Sequence, residues 1–331
     1  MCLPRFLRAF QGRELKGQDG FFEASLCRAF PQVRFVHLQE VFNVSSAYFE
    51  NFDWILINRK CVPNVDFGPK VVESFLKRIK GPRIGLVVNN AEEGMLPPAP
   101  MLQPFQVIFK REVLKNASGY GLSDDIMKKV HPTMISCPFV SVHRKNRRLS
   151  VTRRPRLAQP ELKSLADISF VGADTNESRR QLLRGIDKHF ENFKGGLYGH
   201  KCKHQPLDWD GPKMAQRGVL DYMHMINSAK INLALPGYGG FTYRHLEIWY
   251  MGAFMLTSPE IRRVRLPGSV QPEEGVHYIA FESEEDCIEK AAYYLREDAE
   301  REKIAIAGRN YFDKLYDFDC HAKEIRTSLC R

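Results

Sequence analysis

The segment 236–247 joins a glycine-rich loop to the first turn of a predicted helix and reads PGYGGFTYRHLE. Backbone N–H groups at the start of a helix, together with the helix dipole, favour phosphate oxygens. Arg244 adds a planar cation that suits phosphate geometry. Glu247, three residues later, offers a carboxylate that can accept hydrogen bonds from the two hydroxyls of a ribose. These residue types in this order predict a binding site for a nucleotide diphosphate.

Several residues of the loop have an expected structural role. Pro236 ends the preceding strand because it has no N–H to donate to a neighbouring strand. Thr242 is expected to cap the helix that follows. Three glycines permit positive φ and a close approach of the backbone to a ligand: Gly237, Gly239 and Gly240.

Two tyrosines flank these glycines. Tyr238 and Tyr243 are expected to stack on a base or a sugar ring. A purely structural alternative stays open, because a glycine-rich loop between strand and helix is often only a tight connection. Arg244 and Glu247 would then form an ion pair on the helix surface.

The elements that must hold this loop follow an alternating pattern. Short, almost continuously apolar strands alternate with helical segments, which favours parallel sheets covered on both faces. The predicted strands are Val33–Leu38, Asp53–Ile57, Arg83–Val88, Phe105–Phe109, Asp167–Ala173, Lys194–Tyr198, Ile231–Leu235 and Phe254–Ser258. The fold class is therefore α/β, with two Rossmann-like domains facing a cleft.

The domain borders follow from a break in this pattern. Residues 1–150 are predicted to form the acceptor-side domain and residues 151–310 the donor-binding domain. Residues 311–331 are expected to form a helix that packs back on the N-terminal domain. Helices are also expected over 69–79, 178–190, 214–228, 244–251, 284–295 and 301–315.

The break itself lies between Val142 and Pro160. This stretch is basic and punctuated by proline, without apolar periodicity, so it is predicted to be an interdomain linker. Two readings of its basic part, residues 144–156, stay open. It is either a solvated connector or a contact surface for an anionic glycan or a membrane.

The composition is that of a folded protein with anionic partners. The chain has 331 residues, a formal net charge of +10 and 44% hydrophobic residues. Its eight cysteines are scattered without C-x-x-C spacing, which is typical of reduced thiols in the cytoplasm. Neither a signal peptide nor a membrane-spanning segment is predicted, so a cytoplasmic location is expected.

The region around the glycine loop resembles the donor-binding region of GT-B glycosyltransferases, and is closest to the spore-maturation-protein-like and exostosin-like families. It reads YMHMINSAKINLALPGYGGFTYRHLEIWYMGAFMLTSPE. The resemblance rests on Ser228–Leu233, on Arg244 and Glu247, and on Gly252–Ala253. It implies that Glu247 binds the donor ribose and that the loop before it binds the phosphates. It also implies further residues lining the donor cleft, namely Gly172, Tyr198, Gly199 and His200.

The N-terminal half resembles the family more loosely, through FDWILIN, PRIGLVVNNAEEG and PFQVIFKREVLKN. An inverting transferase needs a group that takes the proton of the acceptor hydroxyl. Glu93 and Glu92 are the candidates, with Glu40 behind them, although they could equally be solvated loop carboxylates. Lys110 and Arg111 are expected on the phosphate side of the cleft, or else capping a helix or facing water.

Metal dependence is not expected. Asp208 and Asp210, like Asp317 and Asp319, have the D-x-D spacing of metal-dependent GT-A enzymes, but they do not follow a strand of the first nucleotide-binding half. The resemblance therefore implies transfer from a UDP- or GDP-sugar to a glycan or other hydroxyl acceptor, with no cofactor and no nucleic-acid partner. The alternatives are a non-catalytic binder of anionic polymers and a GT-A enzyme that uses Asp208 and Asp210.

Overall fold

The chain divides into two compact units. Unit 1 comprises Met1–Arg153, Arg265–Ser269 and Asp317–Arg331, and unit 2 comprises Arg154–Val264 and Val270–Tyr316. The computed structural model describes residues 6–9, 18–36, 44–58, 73, 76–145, 148–156, 165–199 and 207–330. The borders at 153 and 316 lie a few residues beyond the predicted ones at 150 and 310. The short segment 265–269 also belongs to unit 1, and no pattern in the sequence predicted this assignment.

Unit 1 is built on a parallel six-stranded sheet with the strand order β2-β1-β3-β4-β5-β7. Its strands are β1 (Phe6–Ala9), β2 (Arg34–Val36), β3 (Trp54–Asn58), β4 (Arg83–Val88), β5 (Val107–Arg111), β6 (Val113–Leu114), β7 (Val130–Thr133), β8 (Val140–Lys145) and β9 (Arg148–Arg153). Its helices are α1 (Gly20–Ala29), α2 (Ser46–Phe49), α3 (Ala99–Leu102) and α4 (Asp124–Met127), with a 3₁₀ turn at Ala117–Tyr120.

Both faces of this sheet are buried, because alternate side chains of one strand serve two cores. On β3, Ile55 and Ile57 pack into one core with Phe49 and Leu86. Trp54 and the intervening Leu56 face the opposite core. The near-continuous apolar runs in the sequence are explained by this double burial.

The last helix of the chain, α10 (Phe318–Leu329), belongs to unit 1. Its apolar face, which includes Ile325 and Leu329, packs into the same core as α1. The second D-x-D pair, Asp317 and Asp319, stabilises the start of this helix. Asp317 caps the helix by accepting from the N–H groups of Asp319 and Cys320, and Asp319 accepts from Arg28 Nε at 2.5 Å.

The predicted interdomain linker is wrong over most of its length. Strands β8 and β9 form an antiparallel hairpin, in which Val142 pairs with Val151 and Lys145 pairs with Arg148. Val140 and Val142 are buried, since they point from one face of the hairpin toward the protein interior. The apolar alternation of these strands was hard to recognise in the sequence, because the opposite face of the hairpin and the outer strand carry polar and basic residues.

Unit 2 is built on a parallel five-stranded sheet with the strand order β11-β10-β12-β13-β15. Its strands are β10 (Ala166–Ala173), β11 (Phe193–Tyr198), β12 (Ala229–Ala234), β13 (Met255–Thr257), β14 (Val264–Arg265, which ends in unit 1) and β15 (Ile279–Ala280). Its helices are α5 (Glu177–His189), α6 (Val219–Ser228), α7 (Tyr243–Met251), α8 (Glu284–Arg296) and α9 (Asp298–Leu315), with a 3₁₀ turn at Pro259–Arg263.

The predicted elements of unit 2 are confirmed apart from their ends. The helix expected from Met214 begins only at Val219, after the extended residues 215–218. In unit 1, the helix expected over 69–79 lies largely outside the described residues, as does the end of the strand expected over 33–38. No helix among the described residues is long and apolar enough to cross a membrane.

Candidate functional site

The candidate site of unit 2 is formed by the segments that follow β10, β11 and β12. These strands are neighbours in the sheet and run parallel, so their carboxyl ends lie on one edge. The segment after β10 leads into α5, and the glycine loop after β12 leads into α7. Ligands of open α/β sheets bind at this edge.

One buried arginine joins the two loops. Arg179, in the first turn of α5, is 7% exposed. Its Nη1 donates to the carbonyl oxygen of Ala173 at 2.5 Å, and its Nη2 donates to those of Leu235 and Pro236 at 3.0 and 2.7 Å. The end of β10 is thereby tied to the start of the glycine loop.

Asn176 adds a second tie between the same loops. Its Oδ1 accepts from the N–H of Arg179, so Asn176 caps α5. Its Nδ2 donates to the carbonyl oxygens of Pro236 and Gly237 at 3.2 and 3.1 Å. The carbonyls at the start of the loop thus bond inward, toward α5.

The loop glycines do not use the positive φ that glycine permits. Of the described glycines, those with positive φ lie elsewhere, for example Gly252 at φ 65°, where it ends α7. The loop turns instead through a backbone hydrogen bond from the N–H of Gly237 to the carbonyl of Gly239. Gly239 and Gly240 are buried.

The start of α7 is fixed by a buried histidine. The N–H of Thr242 donates to His245 Nδ1 at 3.1 Å, which forms one half of a capping box and confirms Thr242 as the cap. His245 Nε2 lies 3.0 Å from Thr257 Oγ1, which itself donates to the carbonyl of Ala234. These partners require neutral His245 with its proton on Nε2. Burial lowers the pKa of His245 to about 3.

Arg244 projects from the first turn of α7 and lies over two aromatic rings. Its guanidinium carbon is 4.9 Å from the ring centroids of both Phe170 and Tyr222. Arg179 lies against the same Phe170 ring, at 5.3 Å. Burial and the charge of Arg244 lower the pKa of Arg179 to about 10, so Arg179 remains cationic at neutral pH.

In the described part of the chain, these two cations have no carboxylate partner. Within the described residues, neither Arg179 nor Arg244 forms an ion pair, and the surface pair proposed between Arg244 and Glu247 is absent. A pair of arginines without a neutralising carboxylate favours an anion at this edge of the sheet.

Glu247 is 8% exposed and lies one turn into α7. Its Oε2 accepts a hydrogen bond from the hydroxyl of Tyr222 at 2.8 Å. Burial raises the pKa of Glu247, while Arg244 and the Tyr222 hydroxyl act in the opposite direction. No described residue donates to Oε1, so this oxygen is available to a hydroxyl-bearing ligand.

The other predicted donor-site residues have varied environments. Gly172 is required by packing, because a Cβ there would lie 2.7 Å from the Phe170 ring and 3.1 Å from Arg179 Nη1. Tyr198 ends β11 and is partly exposed, while Tyr238 is 56% exposed. Tyr243 is the first residue of α7. His200 lies outside the described residues, as does Glu40, and the ligand roles of all these residues stay predictions.

In unit 1, the two predicted cations are buried. Lys110 Nζ donates to the carbonyl oxygens of Asn90 and Arg111, and burial lowers its pKa to about 8. Arg111 pairs with Glu112 at 2.7 Å, and Glu112 has a positive φ of 47°. Lys110 and Arg111 are therefore neither helix caps nor solvent-facing in this structure.

The predicted carboxylates lie in the segment after β4. Glu92 and Glu93 are partly exposed, and the backbone carbonyl of Glu93 accepts from the Tyr120 hydroxyl at 2.5 Å. The electrostatic influence of both carboxylates reaches Lys110. Glu93 and Glu92 stay candidates for a catalytic base.

The first D-x-D pair does not form a carboxylate cluster in the described part of the chain. Asp210 accepts from Arg184 Nη2 at 2.6 Å, and Asp208 is exposed. Among the described residues, no three His, Cys, Asp or Glu side chains are grouped to hold a metal ion.

Comparison with known proteins finds a family model that matches most of unit 2. A family model described as glycosyl transferase-like matches residues 179–327, which include the glycine loop and α7. The search of the curated proteins found no match.

Solved structures resemble the whole chain. A glycosyltransferase from Rickettsia africae aligns at 12% identity and a TM-score of 0.57, covering 99% of this chain and 98% of its own. Anabaena Alr3699/HepE, solved with UDP and glucose, aligns at 8% identity and 0.61, covering 99% of each chain. An α-glucosyltransferase solved with UDP and DNA aligns at 12% identity and 0.58, covering 99% and 100%. The predicted α/β fold of the GT-B type is thus confirmed.

Sequence reasoning missed the residues that hold the site together. Arg179, Phe170 and Tyr222 stood within recognised elements, but nothing in their spacing marked them. An arginine in the first turn of a helix, where acidic residues are favoured, was the one available signal for Arg179.

Replacement of Arg179 by Met is expected to lower the free energy of unfolding by at least about 3 kcal/mol, because it leaves three carbonyls without a charged donor. Chemical denaturation followed by circular dichroism measures this loss. The neighbouring Arg180→Met is the matched control. Arg180 pairs with Asp174 nearer the surface, so its loss should cost about 1 kcal/mol or less. Equal losses in the two variants would contradict the assigned role of Arg179.

His245 should make unfolding easier in acid. Its pKa is about 3 in the folded chain and about 6.5 in the unfolded chain. As the pH falls below 6.5, only the unfolded state takes up this proton, so stability falls by up to about 1.4 kcal/mol per pH unit until the folded pKa is reached. In His245→Gln this loss is absent. The stability gap between wild type and variant should therefore narrow between about pH 7 and about pH 5. A constant gap in denaturation midpoints would show that His245 titrates normally.

Proposed function

We propose that this chain is a glycosyltransferase that moves a sugar from a UDP- or GDP-sugar to a glycan or another hydroxyl acceptor. The match to a glycosyl transferase-like family over residues 179–327 supports this proposal. The fold supports it as well, since structures of the same fold were solved with UDP, with UDP-glucose or with UDP and a DNA.

The observation that carries the proposal is the placement of Arg244 and Glu247 about one turn apart near the start of α7. The helix start supplies N–H groups and a positive dipole for the diphosphate. Arg244, held over Phe170 and Tyr222, supplies a fixed cation without a competing carboxylate. The Oε1 oxygen of Glu247 accepts from the ribose hydroxyls, while Tyr222 holds Oε2.

The leaving diphosphate is stabilised by these fixed groups in the proposed reaction. Preorganised donors and cations stabilise charge that develops in the transition state. We therefore propose that no metal and no other cofactor is required. The loop N–H groups, Arg244 and the dipole of α7 take the part that a divalent cation has in GT-A enzymes.

Finer assignments complete the proposal. The spacing of Ser228–Leu233, Arg244 and Gly252 supports kinship with the spore-maturation-protein-like and exostosin-like families. Glu93, or Glu92 beside it, takes the proton of the acceptor hydroxyl.

Glu247→Gln tests the donor site. The neutral amide accepts more weakly from ribose hydroxyls, so affinity for UDP or GDP should fall about 10- to 100-fold. Isothermal titration calorimetry with both nucleotides measures the change and identifies the preferred base. A repeat with a chelator tests metal independence, for which unchanged affinity is expected.

Glu289→Gln is the matched control for this experiment. Glu289 is exposed on α8, and its replacement removes the same charge from the same unit. This variant should bind the nucleotide as wild type does. If Glu247→Gln also binds like wild type, or if wild type binds neither nucleotide, the donor-site assignment fails.

Glu93→Gln tests the proposed base. Loss of general-base catalysis should slow sugar release from the nucleotide-sugar donor about 100-fold or more. Nucleotide affinity should not change, because Glu93 belongs to the acceptor-side unit. Glu92→Gln is the adjacent control and should retain more activity than Glu93→Gln. Wild-type rates in both variants would place the base elsewhere.

A further inference from the structure

The strand order of the sheet in unit 1 reverses beside β1. Strand β1 lies between β2 and β3, and the order continues from β3 through β4 to β5. Helix α1, between β1 and β2, packs into one core, whereas Phe49 of α2, between β2 and β3, packs into the core on the opposite face. Ligands of open α/β sheets bind at the carboxyl ends of the strands where the order reverses in this way. In unit 1 this position lies between β1 and β3.

Three polar side chains meet at this position, and we call them the edge cluster: Asp19, Asn58 and Asn89. Asp19 directly precedes α1, Asn58 is the last residue of β3, and Asn89 directly follows β4. Oδ2 of Asp19 accepts from Nδ2 of Asn58 at 3.2 Å and from Nδ2 of Asn89 at 2.5 Å. Nδ2 of Asn89 also donates to Oδ1 of Asn58 at 3.0 Å. Both asparagines are buried, whereas Asp19 is partly exposed.

The carboxylate of Asp19 does not cap α1, although Asp19 stands at the capping position. The N–H of Phe21 donates instead to the hydroxyl of Ser136 at 2.8 Å. That hydroxyl donates in turn to the backbone carbonyl of Gln18, whose side chain accepts from Arg111 Nη1 at 2.8 Å. Other residues therefore fix the start of α1, and the Asp19 carboxylate is bonded to the two asparagines.

Two oxygen atoms of the edge cluster have no hydrogen-bond donor in the described part of the chain. They are Oδ1 of Asp19 and Oδ1 of Asn89. Asn89 is 1% exposed, and a buried oxygen without a donor is unfavourable. Carboxylate and amide oxygens only accept hydrogen bonds, so the edge cluster suits a ligand that donates them. A ligand can reach the carboxylate because Asp19 is partly exposed.

We propose that the edge cluster binds two neighbouring hydroxyl groups of a sugar acceptor. The inference rests on the proposed sugar transfer and narrows its acceptor to a glycan with a vicinal diol. The free carboxylate oxygen of Asp19 has two lone pairs, so it can accept from both hydroxyls of such a diol. The bonds from Asn58 and Asn89 hold this carboxylate in one orientation, which reduces the entropy lost when a ligand binds.

The position and the charge of the edge cluster agree with a neutral acceptor. Glu93, the proposed base, follows Asn89 by four residues in the segment after β4, so both come from the same edge of the sheet. The carboxylate of Asp19 disfavours phosphate. The edge cluster therefore differs from the arginine-containing site of unit 2, where an anion is favoured. Asp19 holds the acceptor, and Glu93 keeps the proposed role of base.

Asp19→Asn tests the proposal and keeps the edge cluster together. The oxygen of the new amide can still accept from Asn58 and Asn89, while its NH₂ group replaces the oxygen offered to the ligand. The probes are the methyl glycosides of glucose, galactose, mannose and xylose as acceptors. The KM for the preferred glycoside should rise about 10- to 100-fold, because a hydrogen bond to a charged group is lost. We expect kcat to change less than about threefold, since Asp19 binds the acceptor without taking its proton.

Deoxy glycosides distinguish binding from a structural role. Removal of one hydroxyl of the diol should raise the KM of the wild-type chain about 10-fold or more, but should have little further effect in Asp19→Asn, because both changes remove the same contact. Asp124→Asn is the matched control, since Asp124 is exposed at the start of α4 in the same unit. This variant should behave as wild type with every glycoside.

Nucleotide binding separates this inference from the function on which it rests. Calorimetry with UDP and GDP should give the same affinity for wild type, Asp19→Asn and Asp124→Asn, because the donor site belongs to unit 2. A wild-type chain that binds neither nucleotide overturns the sugar transfer and this inference together. If wild type binds a nucleotide, two results overturn the role of the edge cluster alone. These are an unchanged glycoside KM in Asp19→Asn and a wild-type chain that uses none of the four glycosides.

Discussion

The candidate site depends on one buried interaction, the guanidinium of Arg179 with the carbonyls of Ala173, Leu235 and Pro236. Burying a charge is unfavourable unless its hydrogen bonds are made. Here they are made with the ends of two neighbouring strands. The loops after β10 and β12 therefore keep a fixed spacing, which holds the start of α7 in place. The positions of Arg244 and Glu247 on α7 therefore depend on the hydrogen bonds of Arg179.

The surroundings of Arg179 also set the electrostatics of the site. Arg179 and Arg244 approach the same Phe170 ring, and no carboxylate pairs with either among the described residues. The positive charge that results is partly desolvated, so it acts on an anion more strongly than an exposed cation would. Unit 1 differs in this respect. There, Arg111 is paired with buried Glu112, and Lys110 is bonded to backbone carbonyls. The cations that sequence alone assigned to phosphate in unit 1 thus have partners of their own.

Some parts of the fold could be predicted from the sequence and others could not. Strands β3, β4, β10 and β12 were recognised because burial on both faces requires continuous apolar runs. The β8–β9 hairpin was taken for a linker because few of its residues, namely Val140, Val142 and Leu149, face the interior, which leaves too short an apolar alternation among the arginines. The loop glycines permit a positive φ, but that conformation occurs elsewhere, for example at Gly252. Their surroundings are decided by Asn176 and Arg179, about 60 residues away in sequence.

The sequence by itself determined the fold class, the order of the elements and the chemical character of the segment from Pro236 to Glu247. These depend on local periodicity and on residue types that carry their chemistry wherever they lie. Tertiary structure alone decided that Arg179 supports the glycine loop, that Tyr222 holds Glu247, and that His245 is neutral. Each of these contacts joins residues from different elements, and the energy of a buried polar group depends on partners that no local pattern records.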